Sequence, residues 1–136
     1  MSTTATPAGA ADYLRATATN RDAAQPLDCD PPTRIFFCHA FEAAVRRRFP
    51  RGTPVADIAR SVAGAARRHS LIGLPPMDVE MLVRDALGEA VPVEDIGPQI
   101  VVTAYVVMFA ALVDEMALSD TEIDELIGEA ERKGRF

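Results

Sequence analysis

Few residues in this chain are equipped for covalent or metal chemistry, and their spacing argues against both. The 136 residues include two cysteines and two histidines. Cys29, Cys38, His39 and His69 could together offer four ligands to a zinc ion, yet they match neither C-x-x-C nor H-x-x-x-H pairing. Cys38 reads instead as a small buried apolar residue and His39 as its polar flank. Serine and threonine hydroxyls cluster before residue 34, where no base stands ready to activate a nucleophile. Carboxylates gather near the C-terminus at Asp120, Glu122, Asp124, Glu125, Glu129 and Glu131. They lack the Glu-x-x-His spacing of a di-iron bundle and the D-x-D-x-D-G loop that holds calcium, so they read as the solvated face of a helix. No glycine-rich phosphate loop is present. The sequence therefore predicts no catalytic residue, no metal, no cofactor and no enzyme.

Charge is more informative than reactivity. The formal net charge is −6, which disfavours a surface that binds nucleic acid or anionic membrane indiscriminately. That average conceals a division. Between Arg34 and Arg68 stand eight arginines and two acids, whereas between His69 and Glu131 one arginine, Arg84, faces fourteen acids. Thirteen of the fourteen basic residues are arginine in an alanine-rich chain, a bias that a GC-rich genome explains without any phosphate ligand. Two uses follow. Basic helices can lie against acidic ones within the molecule, or Arg46, Arg47, Arg48, Arg51, Arg67 and Arg68 can present a basic face to a partner.

The run Thr53-Pro54-Val55-Ala56-Asp57-Ile58-Ala59-Arg60 resembles the opening helix of a helix-turn-helix DNA-binding motif. That resemblance implies a glycine turn, a capping Ser or Thr and a polar recognition helix further on. Gly64 stands one position late for the turn, and Ala65-Ala66-Arg67-Arg68 extends the first helix without a cap. A DNA-binding regulator using the Arg-rich helices of residues 33–70 is thus the alternative function. The favoured expectation is a cytoplasmic protein–protein interaction or adaptor module, its partner another protein or, as a homo-oligomer, the chain itself. Phe36, Phe37, Leu71 and Leu74 carry more apolar surface than one helix face can bury, and join the arginines as expected partner-binding residues. Met1 to Ala11 lacks the basic start and apolar segment of a signal peptide. The two cysteines suit a reducing compartment.

Helices must position these residues. Residues 1–32 are poor in large apolar side chains and read as a flexible tail, with a marginal helix near residues 8–18. Residues 33–136 read as a single all-α domain, a compact bundle of about five helices. The first runs from Thr33 to about Arg48, with Ile35, Cys38, Phe41 or Glu42, Val45 and Phe49 as its apolar stripe and Phe36 and Phe37 widening it. Its last turn holds Arg46, Arg47 and Arg48, beside the negative end of the helix dipole. Thr53 and Pro54 open the second helix, which turns Val55, Ile58, Ala59, Val62, Ala65 and Ala66 toward a close neighbour and ends near His69. The third spans Pro76 to Leu87 with Gly88 as its left-handed stop, and an isolated helical turn falls within Val91–Ile96. From Ile96 to Val113 no residue is charged. The stretch is short of the roughly 20 apolar residues that a bilayer needs, so a fourth helix from Pro98 to about Ala117 is expected at the centre of the bundle. Ser119 and Glu122 form a capping box for the last helix, with Leu118 and Ile123 as its hydrophobic staple and Gly134 as its stop.

Overall fold

Proline and glycine divide the chain into helices close to where the sequence predicts. The computed structural model describes residues 9–19, 31–69 and 74–133, with the backbone alone for Ala18, Thr19, Arg68 and His69. Among the described residues there are six helices and no strand: α1 (Ala10–Thr19), α2 (Pro31–Arg48), α3 (Val55–His69), α4 (Pro76–Ala86), α5 (Pro98–Glu115) and α6 (Asp120–Lys133). The class is all-α, with one helix more than the expected five.

That additional helix is α1. Ten residues are too few for a stable helix in isolation, so α1 depends on what it packs against. Leu14 is fully buried, and the Tyr13 ring lies 6.1 Å from that of Phe37. Arg15 Nε donates to Asp124 of α6 at 2.7 Å. Residues 10–19 therefore belong to the packed domain rather than to a flexible tail, because Leu14 and Tyr13 supply enough apolar surface to dock a short helix. Residues 1–8 and 20–30 of the expected tail lie outside the described residues. The docking has a flaw: among the described residues the Tyr13 hydroxyl is buried without a hydrogen-bond partner.

Helix α2 starts at Pro31, two residues before the expected Thr33. Both prolines sit in its first turn, where a missing N–H leaves no bond unmade and the fixed φ already suits a helix. The helix is also rotated from the expected stripe. Phe36, Phe37, Ala40, Phe41, Ala44 and Val45 face inward, while Ile35 is 44% exposed and Cys38 only half-buried. Two phenylalanines outweigh one isoleucine, since burying each large side chain contributes roughly 1.5–3 kcal/mol. Phe36 and Phe37, expected to face a partner, are each 3% exposed and lie with ring centroids 5.8 Å apart. Leu74 is likewise interior at 8%. Leu71 lies outside the described residues.

Helix α3 runs without a break through Gly64 to His69, so no helix-turn-helix turn forms there. The Thr53 hydroxyl, expected to accept from the first amides of α3, donates to the Pro50 carbonyl at 2.6 Å and closes the turn after α2. Helix α4 ends as expected on Gly88, at φ +91°. The Gly88 and Glu89 amides donate to the Asp85 and Arg84 carbonyls at 2.9 and 3.1 Å, the pair of bonds that a left-handed residue makes accessible. A turn at Val93–Ile96 follows, closed by the Ile96 amide on the Val93 carbonyl. Helix α5 stops the same way on Ala117, at φ +51°, with Ala117 and Leu118 donating to Asp114 and Val113. At α6 the capping box forms in full: the Ser119 amide donates to Glu122 Oε1 at 3.0 Å and the Glu122 amide to Ser119 Oγ at 3.2 Å.

Helices α2 and α5 run side by side in the same direction. Phe41 and Tyr105 pack with ring centroids 5.0 Å apart midway, and Arg48 meets Glu115 where both helices end. Around this pair α6 covers α2, α1 covers α5, and α3 and α4 close the remaining side. Helix α5 is long and apolar enough to cross a membrane by length and composition, and 61% of that span is buried inside the fold. Phe109, Met108 and Leu112 on α5 are fully buried, together with Phe41 and Ile58 from its neighbours.

Candidate functional site

Half of the expected basic face, Arg46, Arg47 and Arg48, is engaged in internal contacts. Arg46 Nε donates to the Ala86 carbonyl at 3.2 Å, satisfying an acceptor that the end of α4 leaves open. Arg47 Nη2 donates to Glu122 Oε2 at 2.8 Å, and its Nη1 lies 3.9 Å from Glu125. Arg48 Nε donates to Glu115 Oε1 at 2.5 Å, and Ser61 Oγ of α3 donates to the other carboxylate oxygen at 2.8 Å. The Arg48 guanidinium also lies over the Phe49 ring, 4.8 Å from its centroid, an attractive cation–π arrangement. These pairs hold the end of α2 to α4, α5 and α6 at once. Arg51 and Arg67 are exposed, and Arg60 pairs with Asp57 one turn earlier. A polar recess of about 260 Å³ lies among Arg48, Arg60, Arg67, Ser61 and Glu115, the carboxylate already occupying its basic wall. The Arg68 side chain is outside the described residues.

The acidic face of α6 is similarly engaged in part. Glu122 serves both the capping box and Arg47, and these donors hold its carboxyl below the usual range: first the Ser119 amide, then the Ser119 hydroxyl and Arg47. Asp124 pairs with Arg15, and Glu129 lies 3.8 Å from Lys133.

The opposite half of α2 is different. Because Phe36 and Phe37 turn inward, Ile35 and Cys38 are left along one wall of a groove between the first halves of α2 and α5. The groove encloses about 460 Å³. Val101, Val102 and Tyr105 form its α5 side, and Pro31, Pro98 and Arg34 surround the end where both helices begin. Its lining is mostly apolar, and among the described residues Arg34 has no ion-pair partner. Burial pushes the Cys38 thiol up despite its interaction with the Tyr105 hydroxyl, and burial together with Cys38 pushes Tyr105 up as well. Both groups stay protonated near neutrality, so Cys38 is a poor nucleophile. Beyond them stands an acidic rim of Glu42, Asp85 and Glu94. Burial first, then the neighbouring Glu42 and Glu94, raises the Asp85 carboxyl above its usual range. His39 Nδ1 is 3.4 Å from Glu42 Oε1.

Among the described residues no three His, Cys, Asp or Glu side chains converge on a point that could hold a metal. Of the four residues that a zinc site would have needed, Cys29 and the His69 side chain lie outside the described residues. The groove went unseen in the sequence because Ile35 and Cys38 fit a helical core stripe. The available signal was the apolar excess of Ile35, Phe36 and Phe37 in succession, which means that one of the three must face outward. No protein-family model, no curated protein and no solved structure matches the chain.

Proposed function

We propose that the chain is a small, non-enzymatic protein-binding module of the cytoplasm, with the α2/α5 groove as its docking face. The observation that carries this reading is Ile35, a large apolar side chain 44% exposed on the wall of an apolar groove. The occupant is an apolar protein segment flanked by charge. An acidic group belongs beside Arg34 and a basic group beside Glu42, Asp85 and Glu94, since among the described residues Arg34 has no ion-pair partner and no arginine or lysine pairs with the three carboxylates. A binding role rather than a catalytic one is supported by the groove's mostly apolar lining, in which burial raises both the Cys38 thiol and the Tyr105 phenol. Cys38 is a free thiol, in keeping with a reducing compartment.

DNA binding has less support than it had from the sequence. Arg46, Arg47 and Arg48 are committed to internal acceptors, and releasing them to phosphates would break contacts that hold four helices together. The test of the protein-binding reading is selection from a displayed random-peptide library on the wild-type chain, with Ile35→Asp as counter-target. Apolar peptides with a charged flank that bind the wild type and lose the variant are expected. Absence of enrichment, or binding indifferent to Ile35→Asp, would overturn it.

A further inference from the structure

The groove has a cation at one end and, just past Cys38 and Tyr105 at the other, carboxylates. Arg34 stands half-buried at one end. Two helical turns further along α2, about 12 Å by helical rise, Glu42 joins Asp85 from the end of α4 and Glu94 from the loop before α5. No arginine or lysine among the described residues pairs with these three carboxylates, and only the His39 ring approaches Glu42. Several cations elsewhere are matched inside the molecule, as in Arg47 with Glu122, Arg48 with Glu115 and Arg84 with Glu89, while Arg51 and Arg67 are exposed away from the groove. An apolar strip with a cation at one end and carboxylates at the other is its own complement when turned end over end. A two-fold axis through the middle of the strip, near Cys38, places Arg34 of each copy opposite Glu42 of the other, the reciprocal pairing that an isologous interface requires.

Resting on the docking reading above, we propose that the occupant of the groove is a second copy of this chain, lying antiparallel across α2, with two reciprocal Arg34–Glu42 contacts and Ile35 of each copy packed over Tyr105 of the other. The net charge of −6 opposes association at long range. At physiological ionic strength that repulsion is screened beyond about 8 Å, whereas the paired groups act within contact distance.

The arrangement can be tested by charge exchange, read by sedimentation equilibrium over a concentration series reaching the upper micromolar range. The wild type is expected to dimerise. Arg34→Glu alone opposes acid to acid and Glu42→Arg alone opposes base to base, so each is expected to weaken dimerisation about tenfold or more. An equal mixture of the two variants is expected to recover wild-type association as a heterodimer. One copy then carries acids at both positions and the other arginines, a recovery that two-fold pairing requires. Circular dichroism checks that each variant is folded, and Arg34→Gln with Glu42→Gln serves as the milder pair if a reversal disrupts α2. A wild type monomeric throughout, or folded variants whose mixture stays monomeric, would overturn the proposal. A monomeric chain whose groove still selects peptides sensitive to Ile35→Asp would refute the dimer and leave the docking reading standing; loss of both results would remove both.

Discussion

The two halves of α2 meet opposite fates although one continuous helix joins them. Its C-terminal half is closed: Phe41, Ala44 and Val45 are buried, as is Phe49 just past its end, and Arg46, Arg47 and Arg48 each find an acceptor on another helix. Its N-terminal half is closed on one side only, by α1 over Phe37, and leaves Ile35, Cys38 and Arg34 facing a groove. The difference teaches that the arginine-rich run engages other helices, whereas the less conspicuous residues before it line an open groove. Charge density alone was a poor guide, because acids arriving from α5 and α6 neutralise the densest cluster.

The sharpest way to break this comparison is to truncate one apolar residue on each side of α2. Phe37→Ala is expected to cost about 3–5 kcal/mol in urea unfolding, as fully buried aromatics do. Ile35→Ala should cost well under half of that, its side chain being already 44% exposed. Equal losses would mean that the groove is core. Arginines give the next contrast. Arg48→Ala removes the Arg48 Nε donor from the Glu115 carboxylate, an effect of about 2 kcal/mol, whereas Arg34→Ala should stay within about 0.5 kcal/mol. Chemical denaturation of both variants measures this directly. The closed side also contains its flaw at the Tyr13 hydroxyl. Tyr13→Phe removes a buried group with no partner and should raise stability by about 1 kcal/mol, visible as a higher thermal midpoint.

The smallest effects concern pH, and they differ in sign between the two regions. Glu122 has a lowered folded pKa, so its stabilisation is complete above its usual 4.5 and is lost as pH falls through the lower folded value. Glu122→Gln should therefore lower the thermal midpoint at neutral pH and change little in strong acid. Asp85 has a raised folded pKa, so its ionisation opposes folding progressively as pH rises above its usual 3.8. Asp85→Asn should raise the midpoint slightly at neutral pH and leave it unchanged below both values. A pH series of melting curves for the two variants tests the opposed slopes, and parallel responses would erase the distinction between a neutralised region and an open one.

Much of the fold was legible residue by residue. The α4 stop at Gly88 could be read because glycine alone adopts the left-handed conformation without strain, and the α6 start because Ser119 and Glu122 bond to each other's amides within one turn. The α5 stop was displaced from the expected Ala117 to Glu115, with Ala117 itself in the left-handed region, where no residue type announces it. The α2 start was misplaced because two prolines that interrupt a helix interior are tolerated in its first turn.

By itself the sequence determined the helical class, the central place of α5 and most helix boundaries, because capping, glycine stops and apolar periodicity act over a few neighbouring residues. Tertiary structure alone decided which face of α2 turns inward, that α1 docks, and that the arginines meet Ala86, Glu115 and Glu122. Those outcomes depend on which of several competing surfaces bury the most apolar area and which charges arrive opposite one another across 40 to 75 positions of chain. No local pattern contains that information. The groove at Ile35 and Tyr105 is its direct result, an apolar face left over once the larger aromatic pair had been buried.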